Sequence, residues 1–274
     1  MNAFNGATTL PAVPDLSDPA LFEPVGAAGA ADRGDLLALT GAEAHHAVTV
    51  RRLRAGERVD LVDGAGLRLV CEVEAAEGER DRLMVRVAER IEEPPAALRL
   101  VLVQALAKGG RDEQAVETAT EVGVDTVVPW QAERCVSVWR GPRAAKGRAR
   151  WRATARRASK QARRARVPRI EAVMTTGALI VWAREVVETG GAVLVLHEES
   201  TAPIGRTALP EADGDEPPTA AVVVGPEGGI SDAETIALEN AGATAVRLGP
   251  HVMRTASAGP VALAVLAQCA GLWG

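Results

Sequence analysis

Ala221-Val-Val-Val-Gly-Pro-Glu-Gly-Gly-Ile230, followed at once by Ser231-Asp-Ala-Glu234, reads as an apolar strand, a glycine-rich turn and a helix start. Val222, Val223 and Val224 form a β-branched run of the kind buried on both faces of a parallel sheet. Gly225, Gly228 and Gly229 permit φ > 0 and let backbone N–H groups approach a ligand with no Cβ in the way. Ser231 with Glu234 three residues on is a capping box, so a helix begins there. A ligand at this turn would lie at the carboxyl end of a strand, where open α/β sheets place their sites. A tight strand-to-helix connection with no ligand has the same letters.

Downstream the pattern repeats. Ala245 to Leu248 reads as a short strand, and Gly249-Pro250-His251-Val252-Met253-Arg254-Thr255 leads into a last helix. Ala258, Val261, Ala262, Val265, Leu266, Cys269 and Leu272 give that helix a 3.6-residue apolar stripe, with Pro260 near its first turn. Leu263, Ala264 and Ala267 lie off the stripe yet are apolar. Right-handed crossovers bring the two Gly-Pro loops to the same edge of one sheet.

Upstream, Ala192 to Leu196 is a strand ending in His197-Glu198. Pro203 to Thr219 is an exposed Pro/Asp/Glu-rich loop, and Ala178 to Val187 a helix. Leu98 to Leu106 and Asp125 to Pro129 are strands on either side of a helix from Arg111 to Val122, which Gly123 stops. Strands alternating with helices mean a mostly parallel sheet covered on both faces. Glu92-Glu93-Pro94-Pro95 breaks both helix and strand and divides a first domain, 1–93, from a second, 96–274. The first domain is β-rich, with strands at Arg58 to Val62, Leu67 to Val73 and Leu83 to Val87. It has a hairpin-like turn at Asp63 to Gly66 and a Gly/Ala-rich loop from Gly26 to Gly34.

The 274 residues carry a net charge of −5, which hides an asymmetry. Thirteen Lys or Arg and no Asp or Glu stand between Arg140 and Arg169. Removing those thirteen from the 31 basic residues leaves 18 to set against 36 acidic ones, a balance of −18. So dense a block of like charge is either a solvated face or a match for a polyanion, and RNA is the polyanion the distribution favours. Ala144, Trp151, Ala155, Ala158, Ala162 and Ala165 make an apolar helical stripe within it, with Arg152, Arg156 and Arg163 on another face. No Tyr, two Phe and five Trp leave few platforms for stacking bases. No apolar stretch is long enough for a membrane span, and Met-Asn-Ala-Phe-Asn-Gly has no secretory signature. Cys71, Cys135 and Cys269 are widely spaced, which suits small buried hydrophobes in a reducing cytoplasm and excludes a structural zinc site.

Gly225-Pro-Glu-Gly-Gly229 with Leu248-Gly-Pro-His-Val-Met-Arg-Thr255 resembles the SPOUT methyltransferases, and among them the RsmE-type family that methylates uridine N3 in small-subunit (16S) ribosomal RNA. The resemblance extends over nearly the whole chain. His45-His46 through Arg51-Arg52-Leu-Arg54, Lys108-Gly109, Glu121 to Val124, Glu133-Arg134-Cys135 and Gln161 through Pro168 follow the family's order. It implies a trefoil-knotted α/β domain preceded by a PUA-like β-barrel, and S-adenosylmethionine as cofactor with no metal. Leu196, His197, Glu198, Gly225, Pro226, Gly228, Gly229, Ile230, Leu248, Gly249, Met253 and Thr255 would hold the cofactor. Arg254, His251 and Glu227 are the catalytic candidates. Arg254 would stabilise the uracil anion left when N3–H is lost, and His251 or Glu227 would take the proton. Relatives often carry Glu where this chain has Ala256, so a carboxylate base is missing there. Relatives also often have Gly at Arg163 and an acidic residue at Lys160. RNA contacts fall to Arg51, Arg52, Arg54, Lys108, Arg152, Arg156, Arg163, Arg164 and Arg166. The resemblance further implies a homodimer acting on ribosomal RNA in an assembled or late-assembling small subunit. Two other readings use the same residues: an RNA-binding protein without turnover, and a SPOUT enzyme acting on another RNA position, ribose 2′-OH or another base.

Overall fold

A computed structural model of the chain describes residues 28–75, 82–211, 214 and 216–273, together with Thr8–Thr9 and Phe22–Glu23. The opening residues expected to carry no secretory signal lie outside it. So do Gly26 and Ala27 of the Gly/Ala loop and residues 212, 213 and 215 of the acidic loop. The described chain forms two compact units, residues 1–95 with 159–167, and residues 96–158 with 168–274.

The first unit holds β1 (Thr8–Thr9), β2 (Phe22–Glu23), β3 (Leu36–Thr40), β4 (Arg58–Val62), β5 (Leu67–Ala75) and β6 (Arg82–Glu92). They make one sheet in the order β1-β4-β5-β6-β3-β2, antiparallel except where β1 runs beside β4. Alternate residues point to one core, where Leu37, Leu39, Val59, Leu61, Leu69, Cys71, Leu83 and Val85 are buried. The turn between β4 and β5 closes on a carboxylate: Asp63 Oδ1 accepts from the N–H of Ala65, Gly66 and Leu67 at 2.6, 2.9 and 3.0 Å. Helix α1 (Gly41–His45) widens into a π-helical turn, His46–Val50, and presents Arg51, Arg52 and Arg54 to solvent.

A boundary at 93–96 omits one return of the chain. Residues 159–167 join the first unit because Ala165 and Val167 pack on Val62. The Val167 N–H also donates to Gly64 O at 2.8 Å.

The second unit contains β7 (Arg99–Ala105), α2 (Arg111–Val122), β8 (Thr126–Gln131), α3 (Pro142–Gln161, its last three residues counted with the first unit), β9 (Arg169–Ile170) and β10 (Met174–Thr175). It continues with α4 (Thr176–Glu188), β11 (Ala192–Leu196), β12 (Thr219–Val224), α5 (Asp232–Glu239), β13 (Thr244–Val246) and α6 (Thr255–Cys269). The sheet is parallel throughout, in the order β10-β8-β7-β12-β11-β13, with β9 also beside β8. The valine run thus occupies a central strand, and Val222, Val223 and Val224 are buried as a two-faced strand requires. Val101, Val103 and Val223 face Leu179, Ala183 and Leu238 of α4 and α5. On the other face Gly259 of α6 lies so close to β7 that a Cβ there would meet Leu102 Cδ1 at 2.6 Å.

That contact turns α6 differently from its expected stripe. Leu263 and Ala267 are 0% and 1% exposed and belong to this chain's own core, whereas Val261 and Cys269 face solvent. The stripe misled because α6 is apolar nearly all round, so periodicity alone does not choose its inner face. Pro260 sits in the second turn, since the helix begins at Thr255. Helix α3 ends at Gln161, so Arg163 does not share a helical face with Arg152 and Arg156. Ile204 is buried within the loop expected to be wholly exposed. No helix of the described residues is long and apolar enough to cross a membrane.

Candidate active site

Parallel register levels the carboxyl ends of three strands: Val195 pairs with Val223, and Leu196 with Val246. The loops that follow enclose a cavity of about 800 Å³. Leu196, His197 and Glu198 line it from β11, and Gly225, Pro226, Gly228, Gly229 and Ile230 from the glycine turn. Leu248, Gly249, Met253 and Thr255 come from the last loop, and Glu227, His251 and Arg254 stand on the same wall. The structure therefore brings all the expected cofactor and catalytic residues around one space.

Local chemistry holds the loops. A Cβ at Gly225 would fall 2.7 Å from Ile230 Cγ1 and 3.2 Å from the Gly229 carbonyl carbon, so the turn folds back on itself only with glycine there. Gly229 takes φ +73°. Helix α5 starts with the expected capping box, Glu234 N–H donating to Ser231 Oγ and Ser231 N–H to Glu234 Oε2. The other oxygen of Glu234 accepts from the Glu133 N–H at 2.8 Å and the Thr176 hydroxyl at 2.7 Å. One carboxylate, only 4% exposed, thus ties the loop after β8 and the start of α4 to the glycine turn. Arg134 on that loop donates to Gly228 O at 3.0 Å. The Thr255 hydroxyl donates to Gly225 O at 2.8 Å and accepts from Gln104 Nε2 at 2.9 Å. It works as a clasp between the two Gly-Pro loops.

Glu227 is also spoken for. It accepts from the Lys108 N–H at 3.1 Å and the Arg111 guanidinium at 3.0 Å. Burial pushes its pKa up, but its own N–H, that of Lys108 and the Arg111 charge outweigh this and hold it below the usual carboxylate range. A stronger acid is a poorer base, so Glu227 shapes the turn. Arg254 is the N-cap residue of α6, and its exposed side chain has no hydrogen bond or ion pair among the described residues. His251 is exposed on the same loop. Ala256 is 6% exposed in the first turn, so a carboxylate there would be enclosed.

Arg111, Arg134, Gln104 and Glu234 had no site role in the sequence reading. Glu234 carried a signal as a capping residue, and Arg134 stood in a stretch that follows the family's order with no role attached. Arg111 and Gln104 have none short of the tertiary contacts, because their partners lie more than a hundred residues away.

The RNA candidates divide. Arg51, Arg52, Arg54, Lys108, Arg152 and Arg163 are exposed and Arg156 is half-buried. Arg164 already has an interaction partner. Arg166 binds Ala65 O and, at 2.5 Å, Glu93 O, so it staples the first unit and is not a free phosphate ligand. Lys160 pairs with Glu43. Cys71 lies in the first core, where burial pushes its thiol to about 12. Cys135 is raised to about 11, also by burial, while Cys269 is exposed, unlike the buried hydrophobe expected.

Comparison with known proteins gives this geometry a context. Residues 94–267 match the RNA methyltransferase domain, and residues 39–80 the RNA methyltransferase PUA domain. A ribosomal RNA small subunit methyltransferase E from Mycobacterium bovis is 46% identical over 88% of this chain and 90% of its own length. The same-named protein of Neisseria gonorrhoeae, solved with S-adenosyl methionine bound, is similar with a TM-score of 0.73 and 25% identity. That likeness covers 87% of this chain and 93% of the other. A Legionella pneumophila methyltransferase solved with bound SAM gives 0.71 and 28% over the same shares.

Proposed function

The chain belongs to the RNA methyltransferase family, and we propose that it methylates uridine N3 of small-subunit (16S) ribosomal RNA with S-adenosylmethionine as methyl donor. The convergence of three strand-end loops on one cavity carries the reading. Its volume lies within the roughly 300–1,000 Å³ usual for such ligands. Leu196, Ile230, Leu248 and Met253 offer apolar walls, and the glycine turns offer backbone groups for adenine and ribose. At Gly249 a Cβ would meet nothing within 4 Å, so the backbone borders open space. When bound, the sulfonium supplies an electrophilic methyl group; the protein's part is to orient the acceptor and manage its proton.

Uridine N3–H must lose its proton for N3 to attack, which spreads negative charge onto O2 and O4. Arg254, which lines the cavity and has no side-chain partner among the described residues, is placed to stabilise that charge. With Glu227 engaged and no carboxylate at Ala256, His251 is the base candidate that stays free. Arg51, Arg52 and Arg54 of the PUA-type unit give it a cationic edge for RNA.

The acceptor is an assembled or late-assembling small subunit, the acting place is the cytoplasm, and the enzyme is a homodimer. Exposed Val252 (77%), Val261 (39%) and Trp273 (50%) support the dimer in place of Leu263 and Ala267. A trefoil knot is supported by the path of the chain. β12 lies between β7 and β11, and α6 returns from β13 to pack on α2, β7 and β12.

Calorimetric titration with S-adenosylmethionine, then mass mapping of methylated ribosomal RNA, tests the reading. Methyl on N3 supports it and methyl on ribose redirects it. RNA binding without cofactor binding would leave a protein without turnover.

A further inference from the structure

The thirteen cations between Arg140 and Arg169 look equivalent in the sequence but are not equivalent in the structure. Arg148 donates to Ile170 O at 2.8 Å, Arg150 pairs with Glu113 at 2.7 Å, and Arg157 donates to Thr154 Oγ1 at 3.2 Å. Arg169 lies 3.6 Å from Glu171. Arg140, Arg143, Lys146, Arg152 and Arg156 have no side-chain hydrogen bond or ion pair among the described residues, and all but the half-buried Arg156 are exposed. Like charges left unpaired along one helix repel one another and favour a polyanion as partner.

Their placement is ordered. Gln131, at the carboxyl end of β8, accepts from Trp139 N–H at 2.9 Å and donates to Ser137 O at 2.9 Å, which fixes the loop that carries Arg134. Trp139 then lies over Gly147 of α3, where a Cβ would stand 2.4 Å from its ring, and meets Trp151 edge-on at 5.1 Å between centroids. The N-terminal end of α3, with Arg140, Arg143 and Lys146, is thereby held to the sheet edge that bears the cavity. Arg152 and Arg156 stand one turn apart further along. Between Lys146 and these two the outward positions are Ala149 and Ala153, both exposed and too short to obstruct a backbone.

We propose that Arg140, Arg143, Lys146, Arg152 and Arg156 form a track for the phosphate backbone of the substrate RNA, leading from the cavity edge down α3. The inference rests on the RNA methyltransferase reading. From Pro142 to Arg156 the helix rises about 21 Å at 1.5 Å per residue. That is room for about six phosphates of one strand at 3.4 Å each. Five neutralised phosphates contribute about −3.5 to the log–log salt slope for single strands and about −4.5 for a duplex. Arg150 and Arg169 contribute less, because the carboxylates of Glu113 and Glu171 offset their charge.

The test uses the full chain and an in vitro transcript of small-subunit ribosomal RNA, with binding measured across a potassium chloride series. Lys146→Ala, Arg152→Ala and Arg156→Ala together should flatten the slope by about 2–3 and leave the affinity for S-adenosylmethionine unchanged. Loss of charge at the ion-paired positions, Arg150→Ala with Arg169→Ala, should change it by less than one. Circular dichroism verifies that α3 persists in both, and Arg152→Lys with Arg156→Lys should keep the slope. Equal effects per charge removed in the triple and the double variant, or no effect of the first, would overturn the track. So would an acidic polypeptide that binds through these five residues when the transcript does not. The methyltransferase reading fails separately, if the wild-type chain neither binds S-adenosylmethionine nor methylates the transcript.

Discussion

Arg163→Gly should make this protein more stable. Helix α3 closes with Arg163 at φ +56°, Arg164 N–H on Ser159 O at 2.9 Å and Arg163 N–H on Lys160 O at 3.2 Å. This is a Schellman closure, whose left-handed position glycine usually fills. An L side chain there costs about 1–2 kcal/mol. Glycine's greater freedom in the unfolded chain takes back about 0.5–1 kcal/mol. The net gain then centres on about 0.75 kcal/mol, or roughly 1.5–3 °C in Tm for a chain of this size. The Arg163 carbonyl, which accepts from Arg68 at 3.0 Å, is backbone and survives the change. Differential scanning calorimetry with Arg163→Ala as control separates the causes, since alanine keeps the strain and should gain nothing. A glycine variant no more stable than wild type, or an alanine variant equal to it, would refute the strain argument. The same substitution removes an exposed cation. If Arg163 meets a phosphate, the salt slope of RNA binding should fall by at most about 0.9.

At the cavity, Gly225→Ala should abolish S-adenosylmethionine binding in a calorimetric titration, because its Cβ collides with Ile230 and the backbone of Gly229. Gly228→Val should do the same by displacing Arg134, whose Cβ would be 3.2 Å from the new carbon; unchanged affinity in either variant would remove the turn from the site. Arg254→Ala should lower the single-turnover methylation rate by about 10²–10³ with both ligands still bound, and Arg254→Lys should recover part of it. An intact saturated rate with weakened RNA binding would make Arg254 a phosphate clamp. Glu227, with its pKa lowered on folding, stabilises the turn fully above the ordinary carboxylate pKa and loses that contribution as pH falls through its folded value. Glu227→Gln should therefore flatten the acid limb of the stability–pH curve, and an unchanged limb would show that the Arg111 and Lys108 contacts contribute nothing.

The parallel α/β architecture, the glycine turn and the capped helix after it are legible in the residues alone. Those features depend on neighbours within a few residues: a valine run, a φ > 0 at Gly229, a serine three residues before Glu234. The resemblance supplied the expected cofactor residues, and they meet at strand ends and loops because parallel strands share one carboxyl edge. What the sequence left open was how each charge is used and which face of α6 is inside. Lys160 meets Glu43, 117 residues away, and Arg166 meets backbone carbonyls of the first unit, so neither is the free cation its letter suggests. Leu263 and Ala267 are core only because Gly259 lets α6 lie against Leu102. Charge neutralisation and the choice between two apolar faces are settled by contacts distant in sequence, and only the tertiary structure brings those partners together.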